Sequence, residues 1–484
     1  MARKAKTLIS KDGIDRREVG YYSTPTFIAD YLTDEMLKLN PNGIRVLDPA
    51  TGKEELLKSF YDHGKIIDAY DIIDYGQHVY SHFSCNDFLE FYIARKQNGE
   101  VECGEYDYMI ANPPYNCHEV SYIKDNKKRL SDAFNVGAYN MYSMFLSAMI
   151  DFAKEGCLIG VIIADSFLTA TLHAKLRNQI FSECSIHQLL LCPNDLFWSQ
   201  DADVRTCVMI LQKGKRYQKE IKIMNRPNST TEFKENIKHR RYKLCSIDDI
   251  RLGEEVAVNQ FVIDLEPEIL QLFRNCVQLG SVYKCVTCIS TGNDEKYLSK
   301  EVRDGYSVPF YKNPAKRKFI SGPDAYIIDD YMAESLRVKD FMVRNKTILR
   351  NKGIACSSMG LPFSAVLKPQ NAVSGVNATI FPGESDIYWL ISYLNSSLVT
   401  YFVRGVLIRS NMVTSGYVSR IPMISLSKDE KSQLETLSKR VIDGTLSEEK
   451  AIEGIDSIVF AAAKLSMETV KKVLFFVKNL GKAV

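Results

Sequence analysis

Residues 107–115 read Asp107-Tyr108-Met109-Ile110-Ala111-Asn112-Pro113-Pro114-Tyr115, a hydrophobic strand that runs into two consecutive prolines and an aromatic ring. Neither proline carries an N–H and each fixes its own φ, so the turn is rigid and its carbonyls are free to accept hydrogen bonds. The Asn112 side chain adds an amide oxygen at the carboxyl end of the strand, where open α/β sheets bind their ligands. Tyr115 supplies a flat face. The turn predicts a pocket for a planar substrate bearing an exocyclic amine. Its protons go to the Asn112 side chain and the Pro113 carbonyl while its ring stacks on Tyr115.

Outward from this turn, short apolar runs recur at 44–47, 66–70, 79–83, 157–164, 186–191 and 204–211. Helical periodicity separates several of them, as in Met141, Phe145, Met149, Phe152 and again in Leu168, Leu172, Leu176, Ile180. Strands interleaved with helices predict a doubly wound, Rossmann-like α/β domain with a seven-strand mixed sheet. No helix separates the last two strands, so that pairing is expected to be antiparallel. Thr24-Pro25 reads as a helix start ahead of Phe27, Ile28, Tyr31, Leu32, Met36 and Leu37. From about residue 245 the texture changes to short β-branched runs punctuated by Gly, Pro, Asn and Ser, with helical stretches at 388–403 and from 428 onward. The expected organisation is an α/β domain over 1–244, including a basic linker at 213–243, and an α+β domain over 245–484.

The 484 residues are 45% hydrophobic and 25% charged, which excludes wholesale disorder and fibrous classes. No apolar run has the length of a membrane span. The basic start Met1-Ala2-Arg3-Lys4 precedes no apolar core, so no secretory signal is expected. Twelve irregularly spaced cysteines predict free thiols and a cytoplasmic protein. Residues 1–210 carry 21 Lys and Arg against 29 Asp and Glu, whereas residues 211–484 carry 41 against 30. Such a step suggests a second half that meets a polyanion. Cys285-Val286-Thr287-Cys288 has no second cysteine pair at zinc spacing and the seven histidines are scattered, so no metal site is expected. The absence of a GxxxxGK[ST] loop argues against nucleotide hydrolysis.

Asn112-Pro113-Pro114-Tyr115 after a strand resembles the catalytic motif of AdoMet-dependent amino methyltransferases, above all the adenine-N6 DNA methyltransferases. The order of the other motifs is similar to the gamma, TaqI-type class of that family. Gly20-Tyr21-Tyr22-Ser23-Thr24-Pro25 resembles the segment that holds the methionine end of the cofactor, and Val46-Leu47-Asp48-Pro49-Ala50-Thr51-Gly52 the loop after the first strand. Tyr70-Asp71-Ile72 resembles the strand end whose acid binds the ribose, and Asp87-Phe88-Leu89 the motif whose acid takes the cofactor adenine's amine. Phe197 resembles the second aromatic against a flipped base. The family places a second glycine where this chain has Glu54, which brings bulk and negative charge to the cofactor loop.

The resemblance implies S-adenosyl-L-methionine as cofactor, held by Tyr22, Thr24, Pro25, Asp48, Ala50, Gly52, Asp71, Ile72, Asp87, Phe88 and Asn112. Asn112, Pro113, Tyr115 and Phe197 would act on an adenine flipped out of double-stranded DNA. The second domain would read the target sequence, with Lys312, Asn313, Lys316, Arg317, Arg350, Lys352, Arg404, Arg409 and Asn411 as candidate contacts. Lys124, Lys127, Lys128 and Arg129 would clamp the strand from a loop that is mobile without DNA. The implied setting is restriction–modification, with a monomeric enzyme and a possible cognate restriction endonuclease. The same motif also occurs in methyltransferases of ribosomal RNA guanine and of protein glutamine, and a silent DNA-binding relative of the fold is a further alternative.

Overall fold

The computed structural model describes residues 21–76, 78–100, 105–116, 120–200, 204–214, 220–253, 259–408 and 412–480. The chain divides into two compact units, Met1–Asp264 and Leu265–Val484. The first unit extends beyond the expected boundary at 244 because Phe261 and Ile263 lie in its core. The buried Arg177 also donates to the Asn259 carbonyl.

Among the described residues the first unit carries one nine-stranded sheet in the order β3-β2-β1-β4-β5-β7-β6-β8-β9. The strands are β1 Arg45–Asp48, β2 Ile66–Asp71, β3 His82–Cys85, β4 Tyr108–Ala111, β5 Leu158–Ala164, β6 Cys184–Leu191, β7 Thr206–Lys213, β8 Ile221–Met224 and β9 Lys243–Cys245. β3, β2, β1, β4 and β5 run parallel. β7 inserts antiparallel between β5 and β6, in keeping with the helix-free connection that precedes it. Seven strands fall on or beside the expected runs, although β3 starts at His82, so that Val79, Tyr80 and Ser81 of the expected 79–83 run lie in the connection before it. The segment expected as a basic linker instead adds two strands and the helix Thr230–Lys238, with β8 parallel to β6 and β9 antiparallel to β8.

The sheet is covered on both faces, which is why its inner strands read as continuous apolar runs. Along β4 the side chains alternate: Tyr108 and Ile110 enter one core with Val46 and Ile162, while Met109 and Ala111 enter the other with Leu47 and Val161. Helix α1 (Thr26–Leu39) packs Ile28, Leu32 and Met36 into the first core. Helices α2 (Phe88–Gln97) and α4 (Met141–Phe152) pack into the second, and α3 (Ser121–Ala133) joins them through Ile123 and Leu130. Thr24 does not cap α1. Pro25 takes the cap position and its carbonyl accepts from Ile28 and Ala29, leaving the Thr24 hydroxyl for another partner.

The second unit is built from small sheets and helices, the α+β texture expected of it. One four-stranded sheet joins Lys284–Val286, Thr379–Phe381, Gly353–Cys356 and Ala365–Lys368; another joins Leu298–Ser299, Ala325–Ile327, Val308–Tyr311 and Val373–Ser374. Helices Ile387–Leu394, Lys428–Ile442, Glu448–Ala462 and Met467–Lys478 follow. Among the described residues, no helix is long and apolar enough to cross a membrane, and no group of three or more His, Cys, Asp or Glu side chains could hold a metal ion.

Candidate active site

β1 and β4 are neighbours at the point where strand order reverses, with β2 and β3 on one side and β5 on the other. Loops leaving the carboxyl ends of such strands diverge and leave a crevice. Here the crevice is a pocket open to solvent, lined by residues at the ends of β1, β2 and β4 and in the loops that follow them. Of the residues expected to hold cofactor, Ala50, Asp71, Ile72, Asp87, Phe88 and Asn112 line it. Tyr22, Thr24, Pro25, Asp48 and Gly52 do not line it, and the tyrosine of the N-terminal segment that reaches the pocket is Tyr21. Tyr75, Tyr122 and Phe145 also line it.

The acids around the pocket are set by backbone donors. Asp71 accepts from Gly52 N at 2.8 Å and Ile73 N at 3.0 Å, and burial raises its carboxyl above the ordinary range. Asp87 caps α2, accepting from Leu89 N at 2.8 Å and Glu90 N at 3.3 Å through one oxygen. Asp48 is wholly buried; its Oδ1 accepts from Ala50 N at 3.1 Å, and the neighbouring Thr51 hydroxyl also favours the ionised carboxyl. Burial pushes the Asp48 carboxyl well above its usual range, and the charges of Asp71 and Glu55 add to the effect. An under-compensated buried acid of this kind favours a nearby cation. Gly52 adopts φ +56°, and a Cβ there would come within 2.5 Å of the Tyr21 ring, so a glycine is needed for that ring to close on the loop. Buried acid, glycine cradle and aromatic wall fit AdoMet, whose sulfonium and ammonium are cationic and which carries no phosphate.

Glu54 departs from the family pattern in sequence but does not enter the pocket. It sits at φ +61° and is 2% exposed, in the conformation a glycine would adopt, at a backbone cost of about 1–2 kcal/mol. Its carboxylate turns away to accept from Val79 N at 2.8 Å, Tyr80 N at 3.0 Å and the Ser81 hydroxyl at 2.6 Å.

On the opposite side, Asn112 is oriented by two donations: Nδ2 to the Tyr22 carbonyl at 2.8 Å and to the Thr24 hydroxyl at 3.0 Å. These fix which way the amide faces and turn Oδ1 toward Tyr115, whose hydroxyl donates to it at 2.5 Å and also lies 3.2 Å from the Ile162 carbonyl. The Tyr22 and Tyr115 rings stack at 5.7 Å between centroids, and Phe197 closes the cluster at 6.1 Å from Tyr22 and 6.3 Å from Tyr115. Tyr115 is 9% exposed and Phe197 wholly buried. The loop carrying Phe197 is tied down by residues that the sequence reading did not single out. Gln200 exchanges two bonds of 2.8 Å with the Ser23 backbone, Thr230 donates to Asp195 at 2.8 Å, and Arg226 bridges the Cys192 carbonyl and Asp165.

The lysines expected on a mobile loop lie on helix α3, with Lys124, Lys127 and Lys128 on its exposed side. Arg129 is paired with Glu90, which also accepts from the Tyr122 hydroxyl at 3.1 Å and so fastens α3 to α2. In the second unit, Lys316 is exposed, Lys312 pairs with Asp294, and Arg317 pairs with Asp324. Arg350 donates to the Tyr331 hydroxyl at 2.9 Å, and Lys352 sits 3.2 Å from Glu384. Two expected contacts are turned inward. The Asn313 side-chain oxygen accepts from the backbone of Ala315, Ser358 and Met359. Arg404 is 6% exposed, donates to the Gly360 carbonyl, and has its pKa lowered to about 10 by burial. Arg404 holds the fold from a buried position, whereas Asn313 does so while staying partly exposed. Arg409 and Asn411 lie outside the described residues.

Comparison with known proteins agrees with this geometry. The N-6 DNA Methylase family model matches residues 93–252. The type I restriction enzyme MjaVII methylase subunit of Methanocaldococcus jannaschii is 28% identical over 232 residues, covering 43% of this chain and 38% of that protein. The type II methyltransferase M.BanIII of Aneurinibacillus aneurinilyticus is 29% identical over 208 residues, covering 37% of this chain and 36% of that protein. The chain thus spans well under half the length of these two curated relatives. Among solved structures, the type IIL restriction–modification enzyme MmeI in complex with DNA superposes with a TM-score of 0.60 at 11% identity, over 96% of this chain and 79% of that one. A nuclease-deletion mutant of the type ISP enzyme LlaGI gives 0.57 at 13% identity, over 90% and 56%. At such identities the likeness is one of fold.

Proposed function

We propose that this chain is an AdoMet-dependent DNA methyltransferase that methylates the N6 amine of an adenine flipped out of duplex DNA, in a restriction–modification setting. The observation that carries the reading is the orientation of Asn112, which lines the pocket and whose amide is fixed by its donations to the Tyr22 carbonyl and the Thr24 hydroxyl. The cofactor supplies an electrophilic methyl group when bound. The adenine amine is a weak nucleophile because its lone pair is delocalised into the ring. Donating its protons to Asn112 Oδ1 and the Pro113 carbonyl favours a more tetrahedral nitrogen, with the lone pair aimed at the methyl. Positioning is therefore the main catalytic device. Tyr115 and Phe197 return about 1–3 kcal/mol per stacked base toward the cost of unstacking. The TaqI-type class assignment, a monomeric enzyme and a cognate endonuclease belong to the same reading. In it the second unit reads sequence, with Lys312, Lys316, Arg317, Arg350 and Lys352 as candidate DNA contacts beside Lys124, Lys127 and Lys128 of α3.

The test is transfer of labelled methyl from AdoMet to unmethylated duplex DNA, structured RNA and protein, with Asn112→Ala as control. Label in DNA recovered as N6-methyladenine, and lost in the control, is the expected outcome. Label in RNA or protein alone would move the acceptor to those classes. AdoMet binding without transfer to any acceptor would contradict the enzyme reading.

A further inference from the structure

We propose that Glu54 is a positioning residue for the cofactor pocket: it latches the connection between β2 and β3 so that Tyr75 stays against the pocket. The proposal rests on the AdoMet reading of that pocket and goes beyond it. Four successive residues of the loop after β1 each grip a different wall. Gly52 N donates to Asp71, Lys53 Nζ lies 5.8 Å over the Tyr75 ring, Glu54 takes Val79, Tyr80 and Ser81, and Glu55 accepts from the Tyr21 hydroxyl. Tyr21 and Tyr75 lean on one another at 5.2 Å between ring centroids, and both line the pocket with Asp71 and Ile72.

Glu54 is the member of this set whose presence is hardest to explain as packing. It holds a left-handed backbone conformation and a buried carboxylate, two unfavourable features at one position. Three donors satisfy the carboxylate, and all three belong to the far arm of the same connection whose near arm carries Ile72 and Tyr75. His78 extends the far arm: its Nε2 is 2.9 Å from Asp74 and its ring stacks on Phe83 at 3.5 Å. A glycine at 54 would suit the backbone but leave Val79 N, Tyr80 N and the Ser81 hydroxyl without this acceptor. The residue that departs from the family's glycine thus acts on the pocket from behind, through Tyr75.

The experiment compares AdoMet affinity by calorimetry, amide hydrogen exchange at Val79 and Tyr80, and thermal unfolding for the full chain and for Glu54→Gly, Glu54→Gln and Ser81→Ala. Glu54→Gly relieves the backbone, so the fold is expected to survive while AdoMet binds at least about tenfold more weakly and the two amides exchange faster. kcat at saturating cofactor is expected to stay near wild type while KM for AdoMet rises. Glu54→Gln keeps one acceptor oxygen and should recover part of the affinity. Ser81→Ala, which leaves the strained backbone untouched, should weaken binding by about threefold, and this variant decides the matter should the glycine variant unfold. Equal or tighter AdoMet binding by Glu54→Gly would overturn the proposal and make Glu54 a bystander or an obstruction. A wild-type protein that binds no AdoMet would instead overturn the cofactor reading itself, and this inference with it.

Discussion

The two walls of the crevice are in opposite states. On the cofactor side the pocket is open, its aromatic and acidic walls are tied to the loop after β1, and Asp48 is wholly buried beside it. On the acceptor side nothing is open: Tyr22, Tyr115 and Phe197 rest on one another, and the Tyr115 hydroxyl occupies the amide oxygen that the substrate amine would use. One site waits for its ligand, and the other must be opened by it. Asn112 links the two, since it lines the pocket through one face and is turned toward Tyr115 by Tyr22 and Thr24. In the proposed reading, AdoMet is expected to bind the DNA-free protein and the acceptor wall to open when a base arrives.

Substitutions that touch one wall only can break this comparison. The largest effect is expected from Phe197→Ala, which removes a stacking face. Transfer to DNA should fall by about 10- to 100-fold in kcat/KM with AdoMet affinity unchanged, and a matching loss of cofactor affinity would show that the walls are not separable. Asp48→Asn probes the other wall and should weaken AdoMet by about tenfold, because it removes the acid whose ionisation a bound cation would favour. It also carries a pH signature. Burial raises the folded-state pKa of Asp48 above its unfolded value, so this group's stabilising contribution to the ligand-free protein is present at low pH and is lost as pH rises through the raised pKa. Thermal unfolding across that window should show the slope in wild type, less of it in Asp48→Asn, and its reversal by AdoMet, which favours the ionised acid. The smallest effect is expected from Tyr115→Phe. Freeing Asn112 Oδ1 should raise kcat/KM for DNA by about threefold. A loss instead would mean that the hydroxyl orients Asn112 rather than shielding it.

The contrast between walls also explains what could be read from sequence. β4, β5 and β7 were legible because both their faces are buried, so each centres on an apolar run. β9 has one buried residue in three, Cys245, and β8 begins just beyond a run of cations, so the segment passed for a linker. The Asn112 turn was legible because two prolines leave little conformational choice. Its partners were not: Gln200, Arg226 and Glu90 are polar residues in loops or on exposed helix faces, and their value lies in tertiary bonds that no local pattern encodes. Tyr21 and Tyr22 are adjacent and chemically identical, and the fold alone separates the one in the pocket from the one behind Asn112. In the second unit, charge did not distinguish a presented arginine from Arg404, which is folded inward.

Single-molecule sequencing of genomic DNA from a methylation-free host expressing this protein, beside a host expressing Asn112→Ala, is the decisive experiment. The account predicts N6-methyladenine at one recurring sequence motif with the wild-type chain and none with the variant. A folded wild-type protein that binds AdoMet yet leaves the genome unmodified would contradict it.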